Sequence, residues 1–283
     1  PGGRFSGFAN GDLKEGDTLE VMPPSGHFFI DLDPERQAHY LAVAAGSGIT
    51  PILSIIKTTL EAEPNSQFTL LYGNRSSNST LFREALSDLK NAYLGRFNVI
   101  YLFSREQQDV DLYNGRIDAD KCDAIFSRWL DTPNLHAAFL CGPQSMTETV
   151  KERLVANGLD KSRVHFELFG VEGQTQRKHR APEEVTDDED KTQVTIIADG
   201  REVLVELPRD SKNILDAANE HGADLPFSCK AGVCSTCRCQ VVEGEVEMDN
   251  NFALEDYEVA AGYVLSCQSY PVTDKVVLDF DQP

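Results

Sequence analysis

No run of apolar residues in this 283-residue chain approaches the roughly 18–20 needed to cross a bilayer. No charged-then-apolar leader of the secretory kind opens it either. Positive charge is also short: 26 Lys and Arg face 46 Asp and Glu, a net of −20. That balance argues against nucleic acid or an anionic membrane surface as a partner. The six histidines are scattered without metal-ligand spacing. Cysteine is too sparse for a secreted disulfide scaffold, with seven in all and four of those in one pattern. A reducing, cytoplasmic setting is therefore expected. The sequence opens on Pro1 instead of Met, so a natural start upstream is expected.

What is present is concentrated near the C-terminus. Cys229, Cys234, Cys237 and Cys267 are spaced C-x4-C-x2-C-x29-C. This is the plant-type [2Fe–2S] ligand pattern, in which four thiolates hold two irons. The small residues of the loop, among them Ala231, Gly232 and Ser235, would let backbone N–H groups approach the cluster sulfurs. Four thiolates also suit a structural zinc, but zinc ribbons present two C-x2-C knuckles and this chain has one. Cys239 follows Cys237 by two residues and reads as a packed thiol on the same strand face.

Residues 170–191 form the clearest boundary, a basic cluster followed by an acidic one with almost no apolar content. Residues 37–169, upstream of it, alternate strand and helix patterns. Strands are expected at Tyr40–Ala45, Phe68–Tyr72, Val99–Phe103, Ala137–Leu140 and Val164–Leu168. Helices are expected from a Thr50 cap and Pro51, over Leu81–Leu89 and over Ser145–Ala156. Units of this kind build a doubly wound parallel sheet covered on both faces. Residues 192–283 read differently. A hairpin turns at Asp199-Gly200, a helix starts at Ser211, and short strands follow at Gln240–Val242 and Val276–Leu278, a small α+β unit compatible with the β-grasp. This unit carries 17 acidic against 6 basic residues, a field suited to a basic partner or simply to solubility. Residues 1–36, rich in Gly and Pro with strands expected at Thr18–Met22 and His27–Ile30, are too few for their own core.

Two turns at the ends of expected strands have the chemistry of a nucleotide site. Gly46-Ser47-Gly48-Ile49-Thr50-Pro51 joins a buried strand to a helix N-terminus, where free amides and the helix dipole favour a pyrophosphate. Alone, such a G-x-G turn is often only a tight connection. Cys141-Gly142-Pro143 follows a later strand and would set a small thiol and bare backbone beside a flat ligand, or else Cys141 is a core thiol. An acid after the second strand would bind a ribose 2′-OH and repel a 2′-phosphate, yet none occurs from Tyr72 to Thr80. Arg75 with its neighbouring hydroxyls favours NADPH over NADH, unless Arg75 is only a solvated surface residue.

These two turns, with Tyr72-Gly73-Asn74-Arg75, resemble the pyridine-nucleotide domain of the ferredoxin–NADP reductase superfamily. Gly3-Arg4-Phe5-Ser6 looks like that family's G-x-x-S element, so the resemblance implies that Gly3 and Ser6 meet an FAD pyrophosphate. His165-Phe166-Glu167-Leu168-Phe169 is similar to the segment closing over the flavin, with Phe169 as a stacking residue, or else it is a plain last strand. With a C-terminal ferredoxin, the layout resembles oxygenase reductases, among them those serving phenylacetyl-CoA epoxidases and 3-ketosteroid 9α-hydroxylases. The stretch Cys229 to Gln268 is most similar to the former. The resemblance implies three parts: a remnant of a flavin-binding β-barrel at 1–36, an NAD(P)-binding domain at 37–169 and a [2Fe–2S] domain at 192–283. Electrons would pass from NAD(P)H through FAD and the cluster to an oxygenase or epoxidase component, or else the chain is a non-catalytic iron–sulfur carrier or redox-sensing module whose α/β domain merely binds nucleotide. The family's earlier flavin motif, R-x-Y-S, has no match and would lie upstream of Gly3, so FAD is expected to be held poorly by this length of chain.

Overall fold

The computed structural model describes residues 4–21, 26, 28–169, 191–209 and 211–282. Residues 170–190 of the expected linker, together with Gly3, lie outside them. Five strands form one sheet: β1 (His39–Ala45), β2 (Gln67–Asn74), β3 (Phe97–Phe103), β4 (Ala137–Cys141) and β5 (Val164–Glu167). All pairings are parallel and the order is β3-β2-β1-β4-β5, so the strand order reverses between β1 and β4. Alternation along β1 decides which helices cover each face. Tyr40, Ala42 and Ala44 pack with α2 (Ile49–Ala62) and α3 (Arg83–Ala92), while Leu41 and Val43 pack with α4 (Ala119–Trp129) and α5 (Gln144–Ala156). α2 alone buries Ile49, Ile52, Leu53, Ile56 and Leu60, each contributing roughly 1.5–3 kcal/mol.

The helix starts differ from expectation in instructive ways. α2 begins at Ile49 because Gly46–Gly48 already coils into a 3-10 turn that runs straight into it. Thr50 is thus inside the first turn, its hydroxyl donating to Ser47 O at 3.1 Å, and caps nothing. α3 begins at Arg83, after Phe82 turns left-handed at φ 54°, which leaves Leu81 outside. α4 was not expected at all. Only Cys122, Ile125 and Phe126 are buried among its 11 residues, under an N-cap in which Asp118 accepts from Lys121 N.

The second sheet has the order β10-β8-β12-β6-β7 and mixed sense. Its strands are β6 (Lys191–Ala198), β7 (Arg201–Pro208), β8 (Arg238–Glu243), β10 (Tyr263–Leu265) and β12 (Lys275–Asp279), with β6 and β12 parallel. The hairpin turn falls where expected, with Asp199 and Gly200 at φ 51° and 69°. α6 (Ile214–Glu220) packs Ile214, Leu215 and Ala218 on this sheet. Its cap is Asn213, whose side chain accepts from Asp216 N at 2.9 Å. The expected cap, Ser211, instead donates to Pro208 O. Short β9 (Val246–Met248) pairs β11 (Ser269–Pro271), and α7 (Asp256–Ala260) lies between them in sequence.

The first segment holds a helix, α1 (Arg4–Gly11), instead of strands. Residues 18–21 and 28–30 are not in strands, because no neighbouring strand among the described residues offers them a ladder. Met22 and His27, the ends of those two stretches, lie outside the described residues. What fixes residues 31–38 is Glu63, fully buried at the end of α2. It accepts from Arg36 Nη1 and Tyr40 OH at 2.7 Å, from Ser66 Oγ at 2.8 Å and from Asp33 N at 3.2 Å. A buried carboxylate so surrounded locks this connector onto the sheet.

Candidate functional site

Both glycine turns stand at the carboxyl ends of the two strands flanking the order reversal, where open α/β sheets bind ligands. They touch each other. A Cβ on Gly48 would lie 2.1 Å from Cys141 O, so only glycine permits the β1 turn to rest on the β4 turn. Ser47, Thr50 and Pro143 are exposed around this contact, Gly46 and Gly142 are half-buried, and Cys141 is buried. Burial pushes the Cys141 thiol up to about 12, with Glu167 beside it adding to the effect. Cys141 therefore stays protonated near neutrality and is no nucleophile. One register row crosses the sheet at this level: Tyr101, Tyr72, Ala44, Cys141 and Glu167.

Arg75 is exposed just beyond β2, and its carbonyl accepts from Arg105 N at 2.8 Å. A cavity of about 240 Å³ opens beside it, lined by Ser77, Thr80, Arg83, Tyr101, Phe103, Glu106 and Gln108. Here the structure supplies what residues 72–80 lack. Glu106 Oε2 accepts from Ser77 N at 2.7 Å and Ser77 Oγ at 2.9 Å. Glu106 and Arg105 follow β3, and parallel pairing brings them to the end of β2.

The four cysteines of the C-x4-C-x2-C-x29-C pattern converge as two pairs. Cys229 lies within hydrogen-bonding reach of Cys234, and Cys237 of Cys267, so that in each pair one thiol, Cys234 or Cys267, is held below its ordinary value and the other is pushed above it. Amide groups also point at sulfur. Ala231 N lies 3.3 Å from Cys229 Sγ, and the amides of Val233, Thr236 and Gly232 reach Cys229, Cys234 and Cys267. Two thiols per iron, with N–H donors around them, fit a two-iron cluster. Cys239 is buried with Sγ toward Val264 O, packed and apart from the pairs. Across the boundary, Cys234 acts electrostatically on Glu167, whose carboxyl burial pushes up.

Comparison with known proteins agrees with both halves. Residues 42–152 match the oxidoreductase NAD-binding domain, and residues 196–272 match the 2Fe-2S iron–sulfur cluster binding domain. A protein of the 1,2-phenylacetyl-CoA epoxidase of Escherichia coli (strain K12) is 48% identical over 280 residues, 99% of this chain and 77% of that protein. The chain belongs to this family of oxygenase reductases. The ferredoxin reductase component of 3-ketosteroid-9-alpha-monooxygenase from Rhodococcus rhodochrous is 35% identical, covering 95% of this chain and 73% of that one. An intact type IV self-sufficient cytochrome P450 monooxygenase shares the fold with a TM-score of 0.62 at 24% identity, covering 96% of this chain and 31% of that one.

The reductase is thus an NAD(P)H-dependent electron-transfer oxidoreductase, with a parallel-sheet nucleotide domain followed by an iron–sulfur domain. No described helix of the reductase is long and apolar enough to cross a membrane. Ser6 lies in the first turn of α1, and Phe169 is 52% exposed just past β5.

Proposed function

We propose that this reductase delivers electrons from NADPH, through FAD and a [2Fe–2S] cluster, to the epoxidase component of a phenylacetyl-CoA epoxidase. Cys229, Cys234, Cys237 and Cys267 are the cluster ligands in this account. Gly46, Ser47, Gly48, Thr50, Cys141, Gly142 and Pro143 cradle the coenzyme, while Gly3, Ser6 and Phe169 serve the flavin. Residues 1–36 are the end of the flavin barrel, 170–191 the linker, and 192–283 a β-grasp ferredoxin. When bound, the flavin turns one hydride into two single electrons. The chain's own part is placement. What supports this most is the contact between the two glycine turns at the order reversal of the parallel sheet, where a coenzyme of this kind would rest. The epoxidase assignment is supported by the 48% identity to the Escherichia coli epoxidase protein, against 35% to the ketosteroid component. Reconstitution tests it. Loaded with FAD, the reductase should sustain NADPH-driven epoxidation of phenylacetyl-CoA, and turnover only with a Rieske-type oxygenase would overturn the partner.

Coenzyme choice sets Arg75 and Arg105 against Glu106. The two guanidiniums follow adjacent strand ends, and the single carboxylate is already committed to Ser77. Arg75→Ala should raise the KM for NADPH about ten- to a hundred-fold, the value of a charge-assisted pair, and leave NADH nearly unchanged. Glu106→Gln should shift preference the other way, toward NADPH, by removing a like charge. Equal effects on both coenzymes would contradict the assignment of Arg75.

A further inference from the structure

Cys267 is 30 residues beyond Cys237, so the loop with three thiols and the segment with the fourth must be held in register. Gln268 spans that gap. It is 7% exposed, and its Nε2 donates to Lys230 O and to Cys267 O, both at 3.1 Å. The same nitrogen lies 3.6 Å from Cys267 Sγ. Its two hydrogens thus serve the thiol loop, the fourth ligand's backbone and that ligand's sulfur together. The amide is oriented from behind, because Asn250 Nδ2 donates to Gln268 Oε1 at 3.0 Å. Residues 249–252 brace both partners: Asp249 N donates to Gln268 O, and Phe252 N to Gly232 O, each at 2.9 Å. A Cβ on Gly232, at φ 72°, would come within 2.7 Å of Asn250 O, so the thiol loop sits directly on this brace.

We propose that Gln268, oriented by Asn250, is a positioning residue of the iron–sulfur centre that fixes Cys267 against the thiol loop and raises the cluster's reduction potential. This role rests on the [2Fe–2S] ligand assignment above. Reduction places added negative charge on the sulfurs, and an N–H aimed at one of them favours the reduced form. Gln268→Glu keeps the shape but replaces the donor with an acceptor, and often with a charge. An anaerobic redox titration of the holoprotein, followed by EPR, reads the result. Gln268→Glu should shift the one-electron equilibrium at least tenfold toward the oxidised cluster, about 59 mV. Asn250→Ala should shift it the same way by less. A purely structural brace would shorten cluster lifetime without moving the potential. Folded Gln268→Glu that assembles no cluster supports the tie between loop and Cys267, and if that variant does not fold, Asn250→Ala decides. An unmoved potential in folded, cluster-bearing variants overturns this role, whereas absence of iron in the wild type would overturn the ligand assignment beneath it.

Discussion

Serine in place of Cys229, Cys234 or Cys267 is expected to erase the visible iron–sulfur bands, one substitution at a time. The pairing makes each loss severe. Cys229 lies beside Cys234 and Cys237 beside Cys267, so all four thiols would be needed to hold the cluster. Each substitution would remove one of the four thiolates, and a serine hydroxyl near neutrality is a far poorer anion than a thiol. Cys239→Ser is the control. Its thiol is buried on β8, reaches toward Val264 O and lies outside both pairs, so the spectrum should be nearly intact. Iron content and visible absorbance of purified variants decide it. Loss of the bands in Cys239→Ser, with full bands in Cys234→Ser, would mean that the ligand set is wrong.

A methyl group added at Gly48 should disable the nucleotide half as completely. Alanine there puts Cβ 2.1 Å from Cys141 O and 2.6 Å from Cys141 C, both backbone atoms that cannot swing aside. The β1 and β4 turns must part. Overpacking of this kind costs about 1–3 kcal/mol in stability. Displacing the cradle by about 1 Å would slow hydride delivery on the order of a hundred-fold. The cluster domain has its own core, so in FAD-loaded protein dithionite should still reduce the centre while NADPH bleaches it far more slowly than in the unsubstituted chain. Wild-type bleaching by NADPH in Gly48→Ala would remove the two turns from the coenzyme site.

The nucleotide turns were legible because strand, small residues and helix start are contiguous there. Gly46-Ser47-Gly48 and Cys141-Gly142-Pro143 each announce a strand end by themselves, and their mutual contact follows from β1 and β4 lying side by side. The cysteine spacing was legible for the same reason, since three of its members share one loop. Glu106 was not. It is 29 residues from Ser77, and only the pairing of β2 with β3 brings its carboxylate to that amide and hydroxyl. Gln268 follows a ligand directly, but its role depends on Lys230 and Asn250, which folding brings in from elsewhere in the chain. The helix starts at Thr50 and Ser211 misled because a Ser or Thr before an apolar run looks like a cap, whereas here a 3-10 turn and Asn213 take that place. α4 was missed because its buried face is only three side chains wide.

The most direct test of the account is elemental and magnetic analysis of the protein purified under anaerobic conditions. About two irons and two acid-labile sulfides per chain, with one unpaired electron per chain on reduction, are expected from the two thiol pairs. One zinc per chain, no sulfide and no reducible signal would contradict the assignment of these cysteines to electron transfer.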